Sequence, residues 1–544
     1  MITVDLSNDE KWFRLSFPYN RATVDLVKKI PGRKWNPDSK IWLVPVWPES
    51  IAELKKLSIK PMPAAEAILS AGDRPKSEVQ SLPCPDIVSD KSRPLWRHQI
   101  NMITWAANNK RALWHCGMGT GKTRAAVDFI QTIPDIKRVL VACPLAVIPA
   151  WDKQVGMFAV TPMRCVCLDS GSVDKKMKLA QKTLEITGAT KEVAVLVINY
   201  ESLWREPFGA WALKQRFDLV VFDEAQALKS GGGKASRYCH KLSGTAGRVL
   251  GLSGTPLPHS PLDAYGVFRA LDDSIFGTSF TRFRMRYAVM GGFQNKQVTG
   301  YINQDEMSRK IDSIRIHVGR EVLDLPPAVH TEMTFALDAK TEAVYRELEN
   351  ELYVRVASGE VTAANALTRL LRLQQITSGY LPLDEVDGDE NKNRRYEHLN
   401  NGKVDQLRTI LDGLPVDEPV VVFCRFRNDL EAAHELCKDM GRTSSEISGS
   451  RKELAAWQAG ESSVLAAQIR TAREGVDMVR ACYCVYFSIG FSLGDYEQSL
   501  ARTHRPGQDR TVFYYHLIAE NTVDRKVYNA LKDKKEVVTA VLGG

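Results

Sequence analysis

Residues 111–123, RALWHCGMGTGKT, constrain this chain more than any other stretch. An apolar run stops at a glycine-rich turn ending in Lys-Thr, and the helix-like TRAAVDFIQTI follows at once. A strand handed to a helix in this way builds a phosphate-gripping loop. The glycines let the backbone turn sharply and aim its N–H groups at phosphate oxygens, while the helix offers its positive N-terminal end to the same anion. On this reading Gly117, Met118, Gly119, Thr120 and Gly121 cradle the phosphates of a nucleotide, Lys122 reaches the β and γ groups, and Thr123 holds Mg²⁺. Cys116 stands where the pattern G-x-x-x-x-G-K-T has its first glycine. The loop is therefore distinguished from an ordinary strand-to-helix turn only by partners elsewhere in the chain.

At 544 residues the chain is too long for one core, and its length suggests roughly three or four domains. With 44% apolar and 25% charged residues it has a globular composition. No apolar run is long enough to span a membrane, and MITVDLSNDEKWF lacks the basic-then-apolar plan of a signal peptide. The expectation is an intracellular, cytoplasmic protein without a membrane partner. The formal charge of +8 permits nucleic-acid binding without demanding it. Cys165/Cys167 and Cys482/Cys484 form C-x-C pairs, but no paired C-x-x-C spacing marks a zinc site. Reduced thiols in apolar runs are expected.

Residues 1–60 carry Trp12, Trp35, Trp42 and Trp47 among Arg14, Arg21, Lys28, Lys29, Arg33, Lys34 and Lys40. Aromatic faces stack on bases while basic side chains grip phosphates, so this is a candidate nucleic-acid module. The alternative is that the tryptophans are the core of a small domain and the charges its solvated face. Residues 61–93, with Pro61, Pro63, Pro75, Pro83 and Pro85 spaced through a polar stretch, read as a tether. From Pro94 onward β-like runs alternate with helical ones, the pattern of a parallel sheet covered by helices. KRALWH, RVLVACP, VAVLVINY, FDLVVFDEA and RVLGLSGTP are its expected strands. Ligands bind at the carboxyl ends of such strands, so the polar endings should converge on one crevice.

Asp223 and Glu224 follow the apolar FDLVVF. A carboxylate at a strand tip positions Mg²⁺ against phosphates, and the next one accepts a proton from the attacking water. Asp223 is thus assigned to the metal and Glu224 to the water, against the alternative of an acidic helix cap. Ser253-Gly254-Thr255-Pro256 closes another strand, and its small hydroxyl residues can relay changes at the γ phosphate or simply make a turn. In FTRFRMRYAVMGG, Arg282, Arg284 and Arg286 alternate with Phe283 and Tyr287, which fits a phosphate-contacting edge or a solvated basic face. Two helical stretches, Asp338 to Ser358 and Ala363 to Ser378, follow. In the second, Leu367, Leu370, Leu371 and Gln374 share a packing face. DEVDGDENKNRR reads as a solvated loop. A second alternating region starts near Gly402, with PVVVFC, SVLAAQ, CYCVYF and TVFYYHLI as strands.

Taken in order, these segments resemble a superfamily 2 helicase motor of the Swi/Snf type. WRHQ at 96–99 places Gln99 where that family reads adenine. GMGTGKT matches its phosphate loop, VACPLAVIPAW at 141–151 and VINYESL at 197–203 its DNA-contacting segments, and LSGTP at 252–256 its coupling segment. DEAQ stands where DEAH is usual, so Gln226 joins Cys116 as a departure. IRIHVGREVLDLPP at 314–327 resembles the link between lobes, with the usual doubled arginine reduced to Arg315 and Arg320. VVVFCRFRNDLE matches the opening of the second lobe, and TAREGVDM at 471–478 the segment touching DNA backbone and nucleotide, which implies contacts at Gly475 and Asp477. QSLARTHRPGQ at 498–508 places Arg502 and Arg505 three apart, on adjacent positions of one helical face. Guanidinium groups offered from a second lobe stabilise charge on a transferring phosphoryl, so both are arginine-finger candidates. The stretch WFRLSFPYNRATVDLVKKIPGRKWNPDSKIWLVP also resembles the HARP module of annealing helicases.

The resulting expectation is an α/β chain of two RecA-like parallel-sheet lobes in tandem behind a small N-terminal α+β module. Residues 1–60 form the HARP-like module, 61–93 a linker, 94–325 the ATP-binding lobe, 326–400 a helical linker or insertion, and 401–544 the second lobe. The resemblance implies a monomeric, DNA-dependent ATPase that uses ATP and Mg²⁺ to move on duplex or forked DNA and to remodel or reanneal it. The rivals are a strand-separating DNA or RNA helicase and a DNA-binding scaffold with a vestigial ATPase.

Overall fold

The computed structural model describes every residue except 1, 8–11, 31, 38, 46–49, 51–52, 55, 58, 63–64, 66–81, 293–296, 358–362, 383–395, 473–475 and 543–544. The DEVDGDENKNRR segment, Trp47 and Gly475 lie outside the described residues. Two wholly parallel sheets dominate. The first has seven strands in the order Arg315–Val318, Arg111–Cys116, Arg248–Ser253, Leu219–Asp223, Arg138–Cys143, Val193–Asn199 and Met163–Leu168. The second has six, in the order Ala328–Phe335, Val512–Ala519, Tyr483–Tyr486, Val420–Cys424, Val464–Gln468 and Ser444–Ile447. Parallel sheets are covered on both faces, so their strands are continuously apolar. Every residue of Val193–Asn199 and of Val420–Cys424 is buried. Each sheet accordingly has a core on either face, one lobe through Leu140, Phe222 and Phe268 and through Trp114, Phe129 and Val141, the other through Val422 and Leu436 and through Phe423 and Tyr486. No helix among the described residues is long and apolar enough to cross a membrane.

Several elements depart from the sequence expectation. Arg315–Val318, read as part of the link, is the edge strand of the first sheet beside the phosphate-loop strand, with Val318 opposite Cys116. The segment read as a helical linker opens with Ala328–Phe335, which pairs along its whole length with Val512–Ala519. Polar residues at alternate positions, His330, Glu332 and Thr334, hide this edge strand from a search for apolar runs. Phe280–Tyr287 is a helix, so Arg284 is turned away from Arg282 and Arg286, which lie four apart and share a face. Phe283 and Tyr287, one turn apart, are both buried, so the apolar spacing overrode the alternating arginines. Arg286 is instead committed to Glu306, which also accepts a 2.7 Å bond from the Tyr287 hydroxyl.

The N-terminal module is a five-stranded mixed sheet in the order Lys34–Asn36, Ile41–Pro45, Trp12–Ser16, Ile2–Leu6 and Ile59–Pro61, with helix Arg21–Val27. Its core includes Val4, Phe13, Leu15, Val27 and Val44, and none of the described tryptophans is among its buried residues. Trp42 only flanks that core, and Trp35, tilted against Trp42 at 5.2 Å between ring centres, is 49% exposed. At the far end of the tether, Leu82 and Ile87 pack on the first lobe, and the Val88 N–H donates to Thr132 Oγ1 at 3.1 Å.

Candidate functional site

The carboxyl ends of three adjacent strands build the site. Arg111–Cys116 leads into the loop, Leu219–Asp223 into Glu224, and Arg248–Ser253 into Gly254. Gly119 and Gly121 have φ of 86° and 76°, left-handed values that a side chain rarely adopts, so the turn requires glycine at both. Cys116 needs no such freedom. It ends the strand in register with Val318, its side chain is fully buried, and burial pushes its thiol up to about 12. Helix Lys122–Thr132 starts directly at the loop. Lys122 Nζ donates to the carbonyls of Cys116 (2.9 Å) and Gly117 (3.2 Å), while Thr120 Oγ1 closes the turn on Gly117 O at 2.8 Å. Half-buried Thr123 follows in the first helical turn.

Gln99 is buried against the loop, its amide donating to the carbonyls of Thr120 (3.3 Å) and Gly121 (3.4 Å). Its carbonyl accepts from Trp96 N at 3.0 Å, which leaves the Trp96 indole 46% exposed next to Gly121. Asp223 is 4% exposed. Its oxygens accept from the Trp151 indole and from Glu224 N–H, both at 2.9 Å. Burial, reinforced by the neighbouring Glu224 charge, raises its pKa to about 6, with Lys122 opposing. Trp151 and Tyr200, whose hydroxyl donates to Asp223 O at 2.8 Å, thus fix the acidic strand tip. They come from the two segments read only as DNA-contacting, and no local signal linked them to Asp223.

Gln226 makes a connection of its own. Its amide donates to Glu224 Oε2, its carbonyl accepts from Ser253 Oγ at 2.6 Å, and Ser253 Oγ in turn accepts from Thr255 N at 3.2 Å. An amide has both a donor and an acceptor, so glutamine joins the acidic pair to the SGTP segment without an imidazole. Beyond Thr255, Pro258 touches the second lobe, since a Cβ built on Gly494 would lie 2.8 Å from Pro258 Cβ.

The arginine segment approaches from the second lobe. A Cβ built on Gly119 would lie 2.6 Å from Pro506 Cδ, so residues around 506 rest on the phosphate loop itself. Helix Leu493–Thr503 includes Arg502 but stops before Arg505, so the two do not share a helical face. Proline disfavours helical backbone at the residue before it, and Pro506 follows Arg505 directly. Both arginines are braced by the 476–478 segment. Arg502 donates to Val476 O at 3.4 Å and accepts from Met478 N at 3.0 Å, and Arg505 lies 4.0 Å from Asp477 Oδ2.

The chain matches the SNF2-related domain over residues 98–379 and the helicase conserved C-terminal domain over residues 368–507. It belongs to the SNF2-related family. This SNF2-related chain is an ATP hydrolase of the helicase-like class. It is 25% identical over 552 aligned residues, covering 96% of this chain and 74% of the relative, to a Caenorhabditis elegans protein named SWI/SNF-related matrix-associated actin-dependent regulator of chromatin subfamily A-like protein 1 homolog. A protein of Acyrthosiphon pisum secondary endosymbiont phage 1, p41, is 23% identical over 82% of this chain and 97% of its own length. Among solved structures, the Sulfolobus solfataricus SWI2/SNF2 ATPase core in complex with dsDNA is 19% identical with a TM-score of 0.38, covering 85% of this chain and 94% of that one. The SNF2-related match begins at His98, one residue before Gln99, and so takes in the loop, the acidic pair and the coupling segment.

Proposed function

We propose that ATP binds between the two lobes and that its hydrolysis drives movement along duplex or forked DNA. The observation that carries this reading is the seating of Pro506, between Arg505 and the rest of the second lobe, on Gly119 of the phosphate loop. A nucleotide held by Gly117 to Thr123 then meets both lobes, and its loss on hydrolysis frees one from the other. Lys122 exchanges its two carbonyl partners for the β and γ phosphates, a charge-assisted replacement for neutral bonds. Glu224, oriented by Gln226, takes the proton of the attacking water. Arg502 and Arg505 stabilise charge on the transferring phosphoryl, an effect worth roughly 10³ to 10⁵ in rate. Gln99 links occupation of the adenine position to the loop it already holds. Thr123 and Asp223 fit Mg²⁺, because Asp223 is a buried carboxylate whose bonded partners are neutral N–H groups. Bound there, the cation neutralises phosphate charge and polarises the scissile group.

The N-terminal module is read as an accessory DNA-binding surface. Supporting this are the exposed Trp35, tilted against Trp42, and Lys34 Nζ 4.8 Å from the Trp12 ring centre. The relative named as a chromatin regulator aligns over 96% of the chain. Remodelling or reannealing of forks is the finer reading.

ATPase assays with duplex, forked and single-stranded DNA and with RNA, run with and without residues 1–60, test this. Duplex or fork stimulation is expected, with fork preference lost on truncation. Turnover that no nucleic acid raises above that of Glu224→Gln would overturn the motor reading. Displacement of a third strand without unwinding separates a translocase from a strand-separating helicase.

A further inference from the structure

In the link from Val318 to Ala328, the residues between the edge strand of one sheet and the edge strand of the other fill the space between the phosphate loop and the arginine segment. Val318 O accepts from Gly117 N at 2.8 Å. Arg320 lies over the same glycine, since a Cβ on Gly117 would sit 2.5 Å from Arg320 Cγ. Its guanidinium then crosses to the second lobe, where Nη2 donates to the His504 carbonyl and lies 3.3 Å from His504 Nδ1. His504 Nε2 returns to the link, 2.7 Å from Pro326 O. These two contacts fix the imidazole as the neutral tautomer, protonated on Nε2 and accepting on Nδ1.

Two features mark this arginine as more than packing. Among the described residues no carboxylate lies within ion-pair distance of Arg320, and its Nε is buried without a partner. A half-buried guanidinium so placed costs stability that an apolar side chain of similar volume would not. The carbonyl it holds also belongs to the peptide plane that carries the Arg505 N–H, so the bond fixes the backbone from which Arg505 projects. Among the described residues the Arg505 side chain has a loose contact at 4.0 Å with Asp477, and both side chains are partly exposed. Its position is set from behind, through residue 504.

We propose that Arg320 is a positioning residue that makes the 318–326 link a strut, passing a shift of the phosphate loop at Gly117 to His504 and thereby placing Arg505 at the nucleotide. This rests on the reading that Arg502 and Arg505 act on the transferring phosphoryl. Arg320→Met keeps the stem over Gly117 and removes every donor. With saturating duplex DNA its kcat is expected to fall roughly tenfold or more, while the Kd of a fluorescent ATP analogue changes by less than about threefold. Arg320→Lys should recover part of the loss, and adding Arg505→Ala to Arg320→Met should lower kcat little beyond Arg505→Ala alone, as expected of two groups acting through one contact. Should Arg320→Met fail to fold, His504→Phe keeps the ring and loses both nitrogens, and the same selective loss of kcat is expected. Wild-type kcat in the folded variant, a loss confined to nucleotide affinity, or independent multiplication of the two effects overturns the strut. If Arg502→Ala and Arg505→Ala both retain wild-type kcat, the arginine reading itself fails. If they abolish turnover while Arg320→Met and His504→Phe keep wild-type kcat, the strut alone fails.

Discussion

Replacing Gln226 by alanine cuts the chain of contacts at its centre. Glu224 has a φ of 51°, a left-handed backbone that costs a residue with a side chain roughly 1–2 kcal/mol. Its carboxylate is therefore held by its surroundings, and the Gln226 amide is the hydrogen-bond donor that reaches it from the SGTP side. Gln226 is 9% exposed, so the bond is shielded from water. A hydrogen bond to a charged group contributes about 1.5–3 kcal/mol. If that amount is lost from the orientation of Glu224 in the transition state, kcat falls roughly tenfold to 150-fold. The KM for ATP should hardly move, because Lys122 and the loop amides bind the phosphates independently of this amide. Gln226→His restores a donor and should recover most of the rate. Steady-state ATPase with duplex DNA, read beside thermal unfolding of each variant, gives the answer. A Gln226→Ala protein with near-wild-type kcat and a lowered unfolding midpoint would refute the reasoning, leaving the amide a packing element of the strand tips.

Other expectations concern the second lobe and the loop. His516 is 1% exposed, bonded at 2.8 Å to the Tyr496 hydroxyl and stacked on Tyr486, and burial depresses it to about 3. The folded state thus holds it neutral, so its contribution is fully present above an unfolded value near 6.5 and is lost as pH falls below that. At pH 5 the loss is about 2 kcal/mol, and His516→Phe should show a smaller drop in unfolding free energy between pH 8 and pH 5 than the wild type in urea titrations. Lys403 and Asp524 form a 2.9 Å pair with side chains 1% and 7% exposed. Lys403→Met should cost about 3–5 kcal/mol by leaving a buried carboxylate unpaired, and Lys403→Met with Asp524→Leu should recover most of it. A single-variant loss under about 1 kcal/mol would contradict the burial argument. Lys122→Ala should abolish turnover with both lobes still folded by circular dichroism, whereas Arg505→Ala should retain most nucleotide binding and lose kcat.

The site was legible in the sequence wherever its residues are contiguous. Gly117 to Thr123 and the Asp223-Glu224 pair are strand endings whose preceding apolar runs fix their position, so strand geometry alone brings them to one edge. Trp151, Tyr200, His504 and Arg320 were not legible as site residues. Each acts through a partner many positions away: Trp151 on Asp223, His504 on Pro326 and Arg320. Around Arg282 the helical spacing of Phe283 and Tyr287, both in the core, set the local structure, and the alternation of the arginines did not.

By itself, then, the sequence determined two buried parallel sheets and a glycine-rich strand-to-helix loop, since runs such as VAVLVIN and VVVFC are satisfied between layers of helices and the glycines of GMGTGKT permit the left-handed turns the loop takes. Tertiary structure decided what those parts do together. The seating of Pro506 on Gly119, the return of Gln226 to Ser253 and the reach of Arg320 to His504 join residues between 27 and almost 400 positions apart. The second needs two strand tips of one sheet to lie side by side, whereas the first and third depend on how the two sheets are docked, and docking is a property of whole packed surfaces that no local spacing of residues encodes.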